Sequence, residues 1–506
     1  MMVEILGLTD SLGFGSWTMH VCVCGGVLPR GCNAHSLVQP TTLQNVIRYL
    51  AAEKYPEHLD VEKCKRYAHL AYEAVQTDAL KEAIIRDPQH LELFFSFLDH
   101  TTEMDPLRCA YFSRIVELLF ERYPKELVNF LKKQGNVVAK FVMHINNQYI
   151  VESLFRLIDS QASHPWLHEE DLIPLLMIKM AESDDSDTQE KTSQVITEIL
   201  DLFVPFPYSV LTTQMFHAEV VAEQWEMFTF KDVSDSMRVL NGLNVGVGIL
   251  SLSFDGNMTR DTPIFMKRVI GKLGTLLELL RLPPTPEREY QMTFGKLKTP
   301  FGFLRLKILE FLAALLNTKY QEVVETMWRE DLFSTLIELF LAYPWNNTMH
   351  FYFQHIVTTM IQCEGEGDGH AVADILLTKC GLLDRIVDAF TKETDRTVGY
   401  LGHLLTVARE LVRASGIHSR VREAMDANAK WSEFASGTLK LLIERHNTPL
   451  VERPAAVPNA YGGEFGMGEG GMGGTETTMP SEFASHMAVA SLDESSGSDE
   501  DGDGVE

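Results

Sequence analysis

From residue 40 to residue 447 one pattern recurs: apolar side chains at i, i+3, i+4 and i+7. Phe112, Ile115, Val116 and Leu119 follow it, and so do Val138, Phe141, Val142 and Ile145. Leu304, Ile308, Phe311, Leu312 and Leu315 continue it, as do Leu383, Ile386, Val387 and Phe390. Each set lines one side of an α-helix and needs a neighbour to cover it. Asp105-Pro106, Tyr123-Pro124 and His164-Pro165 place proline at first helical positions, where the missing N–H costs nothing. Strand signals are nearly absent. The alternation in NVGVGILSLSF (244–254) is the exception, and a glycine-loosened helix is the favoured reading there. No fixed-length repeat is visible, yet amphipathic helices follow one another without a domain-sized linker. The pattern predicts an all-α, armadillo- or HEAT-like solenoid with degenerate repeats.

Three segments are expected. Residues 1–39, with three cysteines and no helical period, read as an irregular or non-native start. Residues 40–447 form the helical body, and 448–506 form a Gly/Met-rich, then acidic, disordered tail. Within the body, 183–194 reads as a surface loop entering a helix, and 283–300 and 363–370 read as loops. Residues 447–506 hold 12 acidic residues and one basic one, Arg453, and so carry −11 of the net charge of −26. So acidic a chain repels phosphate, which argues against nucleic-acid binding and favours a basic protein partner. No run approaches the roughly 18 apolar residues of a membrane span, and MMVEILGLTD lacks a secretory signal's basic start. Seven scattered cysteines do not form a disulfide framework. The expected location is the cytoplasm, and the nucleus as well.

Motifs that carry chemistry are weak. GDGH (367–370) is like the metal-binding element of metallophosphatases, but no strand precedes it and Ala371 stands where a glycine belongs. His164 and His168 are four apart without a third ligand, and Cys22 and Cys24 have no second pair. Gly466, Gly468 and Gly471 make a G-x-G-x-x-G in a Gly/Met tail, outside any strand–helix context. Ser491, Ser496 and Ser498 each have an acidic residue three positions on, the pattern of acidophilic kinase sites. No hydrolase, Walker or kinase motif set occurs. The densest polar-aromatic stretch is AYPWNNTMHFYFQH (342–355). Apolar stripes end before Pro344 and restart at Met349, so Pro344–Asn347 is a corner between helices. An Asn there caps the second helix, Trp345 packs into the corner, and His350 in the first turn resists protonation.

The chain resembles the SAPS-domain family, regulatory subunits of Ser/Thr phosphatases of the protein phosphatase 6 type. The resemblance rests on LFFSFLDHTTEMDPLRCAYFSRIVELLF (93–120), VNFLKKQGNVVAKFVMHINNQYIVESLFRLI (128–158), TPFGFLRLKILEFLAALLNT (299–318), YPWNNTMHF (343–351) and DRIVDAFTKETDRTVGYLGHL (384–404), in the family's order. Gly302-Phe303-Leu304 replaces the family's Gly-Asn-Thr, and Thr348-Met349 replaces Phe-Leu, which marks a divergent member. The resemblance implies a non-catalytic subunit that binds a phosphatase catalytic subunit and directs its substrate choice or location, together with a further ankyrin-type scaffold subunit. It implies no cofactor. Carried over residue by residue, it makes Asp99, Pro106, Lys132, Lys133, Arg305, Trp345, Asn346, Asn347, His350, Gly402 and His403 signature or partner-binding candidates. Two rivals stand beside it. One is a general solenoid adaptor for peptides or cargo. The other is a hydrolase using His350 or His370.

Overall fold

The computed structural model describes residues 39–51, 61–101, 104–159, 163–203, 210–252, 263–282, 290–292, 295–297, 300–363, 369–392 and 398–447. Residues 1–38, Gly367 and Asp368, and the tail serines 491, 496 and 498 lie outside them. The chain divides into two units, Met1–Asn447 and Thr448–Glu506.

In the first unit the apolar stripes become a helical solenoid. Seven helices stack side by side in one row: α1 (Pro106–Arg122), α2 (Gln148–Asp159), α3 (Ser186–Phe203), α4 (Ser236–Ser251), α5 (Phe303–Asn317), α6 (Asn347–Gln362) and α7 (Leu401–Ile417), each packing on the next. Helices Val137–Met143, Leu172–Glu182, Glu219–Phe230 and Ile264–Arg281 form a second row behind it. Leu172–Glu182 pairs with α3, Glu219–Phe230 with α4 and Ile264–Arg281 with α5, so the repeating unit is a pair of helices. One continuous apolar core runs between the rows, from Leu43 to Leu439. Phe112, Ile115, Val116 and Leu119 are all buried in it, as are Ile308, Phe311, Leu312 and Leu315.

Residues 244–251 are helical, within α4, and the glycines explain the loosened pattern. Gly242 and Gly246 let α4 approach its neighbours closely. A Cβ at 246 would lie 2.6 Å from the Phe311 ring, and the Trp225 Nε1–H donates to the Gly242 carbonyl at 2.7 Å. The stretch 283–300 departs from a plain loop. Tyr290–Met292 (β1) and Gly295–Leu297 (β2) pair antiparallel, Gln291 opposite Lys296. The 183–194 stretch is helical from Ser186, held by the Asp185 carboxylate accepting from the Thr188 N–H at 3.0 Å.

Helix starts follow the residue chemistry. Pro106 and Pro124 each open a helix, and Asp105 Oδ1 accepts from the Leu107 N–H at 3.0 Å. The third proline sits one place later than expected, because His164 is itself the first helical residue. Helix ends are handled less conventionally. Arg108 donates to the Leu50 carbonyl and His100 to that of Ala51, at the end of helix Pro40–Ala51. His144 donates to Leu98 at 3.0 Å, and His164 to Ile158 at 2.8 Å. Helical carbonyls left over at these ends are thus satisfied by imidazole or guanidinium groups from later in the chain.

Candidate functional site

The corner at Pro344–Asn347 lies between helix Leu332–Ala342 and α6, and α7 folds against it. Asn346 is the N-cap of α6: its Oδ1 accepts from the Met349 N–H at 3.0 Å. One turn on, His350 is fully buried and donates from Nε2 to the Tyr343 carbonyl at 2.8 Å, closing the end of the preceding helix. The rings of Phe340, Tyr400 and His403 surround it at 4.7, 5.7 and 5.7 Å. Burial drives its pKa down to about 4, and the neighbouring His403 pushes the same way. The neutral imidazole foreseen from the first turn of the helix is therefore present, with desolvation as its main cause.

Arg305 joins three elements at this end of the stack. Its Nε–H donates to the Leu282 carbonyl at 2.8 Å, at the end of helix Ile264–Arg281. Its Nη1 donates to the Tyr343 hydroxyl at 3.2 Å, and the guanidinium lies 5.5 Å from the centre of the Phe301 ring. The residue is buried, so its signature position reads as a brace. His403 on α7 spans two amides of α6, with Nδ1 2.8 Å from Gln354 Oε1 and Nε2 2.9 Å from Asn347 Oδ1. Burial lowers its pKa. A neutral ring has one donor and one acceptor, so one of the two amides turns its NH₂ toward it. The Gly399 N–H donates to the Pro344 carbonyl at 3.0 Å, fixing the entry to α7 against the corner.

Trp345 departs from its expected place. It is 44% exposed, and its ring passes beside Gly399. The buried anchor of the corner is His350, whose Nε2–H supplies the donor that the Tyr343 carbonyl needs. Gly402 is exposed on α7. Phe303, where the family has Asn, is 76% exposed beside Gly302, whose φ of 89° only glycine adopts readily. The remaining candidates stand on the first helices of the stack. Asp99 pairs with Lys140 at 2.6 Å, Pro106 is exposed at the start of α1, and Lys132 and Lys133 are exposed on the turn after helix Pro124–Leu131.

Tyr343, Gln354 and Tyr400 complete the corner and were not singled out by sequence. Their partners lie 38 to 60 residues away, and no local spacing announces such contacts. Among the described residues the catalytic alternatives find no constellation. His370 is exposed and 3.3 Å from Asp374, one turn along its own helical segment. His164 is spent on the Ile158 carbonyl. Among the described residues no group of three His, Cys, Asp or Glu side chains is placed to hold a metal, and no helix is long and apolar enough to cross a membrane.

The family model for SAPS, the SIT4 phosphatase-associated protein, matches residues 116–332 and 326–448. The chain belongs to the SAPS family. It is 23% identical over 472 residues to serine/threonine-protein phosphatase 6 regulatory subunit 3-B of Xenopus laevis, covering 82% of this chain and 55% of the relative. It is 25% identical over 479 residues to human regulatory subunit 1, covering 82% of this chain and 54% of the relative. Mouse regulatory subunit 2 is 22% identical over 480 residues. The chain spans about half the length of these curated relatives. Such identities make it a divergent SAPS protein, in keeping with the altered 302–304 and 348–349 positions.

Proposed function

We propose that this SAPS protein is a non-catalytic regulatory and scaffolding subunit, binding a Ser/Thr phosphatase catalytic subunit of the protein phosphatase 6 type and directing its substrate choice or location. The observation that carries the reading is the family match over the helical body, residues 116–448. The architecture is compatible with it, since a two-row helical stack offers long surfaces to a partner. The residues a hydrolase would need at the corner are occupied otherwise: His350 and Arg305 close helix ends, and His403 ties α7 to α6. An ankyrin-type scaffold as third component, a cytoplasmic and nuclear location, and kinase modification of Ser491, Ser496 and Ser498 belong to the same proposal.

Co-expression of the full chain with the catalytic subunit, followed by affinity purification and size-exclusion chromatography, tests it. A stoichiometric complex whose phosphatase activity resides in the catalytic subunit is the expected outcome. A folded chain that elutes alone, or that hydrolyses phosphate esters by itself and loses this with His370→Ala, overturns the proposal.

A further inference from the structure

Acidic residues are concentrated in one stretch of the stack. Residues 163–203 hold ten acidic and two basic residues, whereas residues 104–159 hold six and eight. Packing draws part of that charge together. The Asn146 amide donates to the Thr188 hydroxyl at 2.8 Å, which sets the starts of α2 and α3 side by side and brings Asp159 level with Asp201. Helix Leu172–Glu182 runs antiparallel to α3 from the turn at 183–185, so Asp171 comes level with Glu198. Asp159, Asp171, Glu198 and Asp201 are all exposed, and Glu169 and Glu170 directly precede Asp171. None of the six makes an ion pair among the described residues, and the basic residues of these helices stand elsewhere. Arg156 is bound to Glu117 at 2.8 Å, and Lys179 and Lys191 each lie about two turns along the helix from the nearest of these carboxylates.

For the chain alone this placement is unfavourable. Asp159 ends α2 and Asp201 stands in the last turn of α3, where the helix dipole repels a carboxylate. Burial raises the pKa of both Glu198 and Asp201, and the Asp201 charge raises Glu198 further, although both reach solvent. Beside Asp171, Gln214 is 8% exposed and donates to Asp171 Oδ1 at 3.4 Å. Its own buried oxygen, Oε1, accepts from nothing among the described residues. Crowded carboxylates and an idle amide oxygen call for positively charged N–H donors. We infer that this corner is a docking site for a lysine- or arginine-rich segment of a partner protein. A metal ion fits less well, since among the described residues no three His, Cys, Asp or Glu side chains converge. Packed helices stand about 8–10 Å apart, and basic side chains on alternate residues of an extended segment, about 7 Å apart, meet carboxylates spread over that span. Exposed Leu202 and Val210 offer apolar surface to the stems of those side chains.

The test uses the full chain and two fluorescent, blocked octapeptides, one alternating lysine with serine and the other glutamate with serine. Fluorescence anisotropy at low salt is expected to show binding of the lysine peptide and none of the glutamate peptide. Asp159→Asn, Glu198→Gln and Asp201→Asn combined should weaken the lysine peptide about tenfold, the joint effect of three modest surface pairs. A control combining Glu322→Gln, Glu325→Gln and Glu338→Gln removes the same charge from other exposed positions, and should weaken it less than about twofold. Because the first triple variant relieves repulsion, its melting temperature should equal or exceed that of the parent chain. A lower value would contradict the crowding and overturn the inference. Equal weakening by both triples would reduce the effect to general attraction by an acidic chain and overturn it too. So would binding of the glutamate peptide, or no lysine-peptide binding up to about 1 mM. Full displacement of the lysine peptide by an equal concentration of spermine would assign the corner to a small polycation instead of a protein segment. The inference does not rest on the phosphatase proposal: a chain that binds the lysine peptide but no phosphatase leaves it standing.

Discussion

Acidification should loosen the α5–α6–α7 end of the stack through His350. Burial in the folded chain pushes the pKa of this imidazole down to about 4, against an ordinary value of 6.5. Between those values the unfolded segment binds a proton that the folded one excludes. The contribution of His350 is therefore complete above pH 6.5 and is lost as the pH falls toward 4. At pH 5 the loss is about 2 kcal/mol, an approximately thirtyfold change in the local opening equilibrium. His355 and His403, both lowered by burial, act in the same direction. A stack of repeats need not unfold in one step, so the appropriate measurement is native-state hydrogen exchange of the α6 amides, corrected for intrinsic rates. His350→Gln supplies the control, because its amide can still donate toward the Tyr343 carbonyl but cannot titrate. Wild-type protection at α6 should fall about thirtyfold more between pH 7.5 and pH 5 than protection in the variant does. Equal falls in the two proteins would show that His350 is not the group excluded from protonation, and the assignment of desolvation as the cause would fail with it.

Three further outcomes follow from the packing. Gly246→Ala gains about 1 kcal/mol of helix propensity, but its Cβ meets a buried phenylalanine at 2.6 Å. Overpacking of about 1–3 kcal/mol should dominate and lower the melting temperature, and an unchanged or raised value would contradict the close approach of α4 and α5. Asn346→Ala should cost about 1 kcal/mol in chemical denaturation, with Asn346→Asp nearly neutral, since either carboxylate or amide oxygen can cap the Met349 N–H. Arg305→Met keeps the apolar stem but removes the donors to Leu282 and Tyr343, for a loss of about 2–3 kcal/mol. Arg305→Lys should recover only part of it in the same thermal-melt assay, because one ammonium cannot reproduce the fork.

The helical class was legible because a burial stripe is a local property: Phe112 to Leu119 announce both a helix and the face it buries. The Pro344–Asn347 corner was legible for the same reason, as were an Asn cap there, which the structure gives to Asn346, and the prolines that open α1 and helix Pro124–Leu131. Trp345 was misplaced because side-chain size says how much surface a residue can bury and nothing about which way a corner turns it. The hairpin at 290–297 was missed because two three-residue strands are too short for an alternating pattern to emerge. The partnership of His403 with Asn347 and Gln354 spans 49 to 56 residues and depends on how α7 docks, which no window of sequence contains.

Basic residues along a helical stack invite the reading that they grip a partner. In this chain the geometry separates two kinds. Arg108, Arg305, His100, His144, His164 and His350 all direct an N–H at a carbonyl at or near a helix end, and all but His144 are buried. A buried carbonyl without a donor costs about 1–3 kcal/mol, so each such residue is demanded by the stack itself. A partner reaching for Arg305 or His350 would have to undo a helix junction first. Residues exposed at the surface are different: Lys132 and Lys133 stand on a turn, and Phe303 presents apolar surface. Loss of binding in an Arg305 variant would therefore track loss of melting temperature. Loss of binding in a Lys132 or Phe303 variant should occur with the fold intact, and that dissociation distinguishes a contact from a brace.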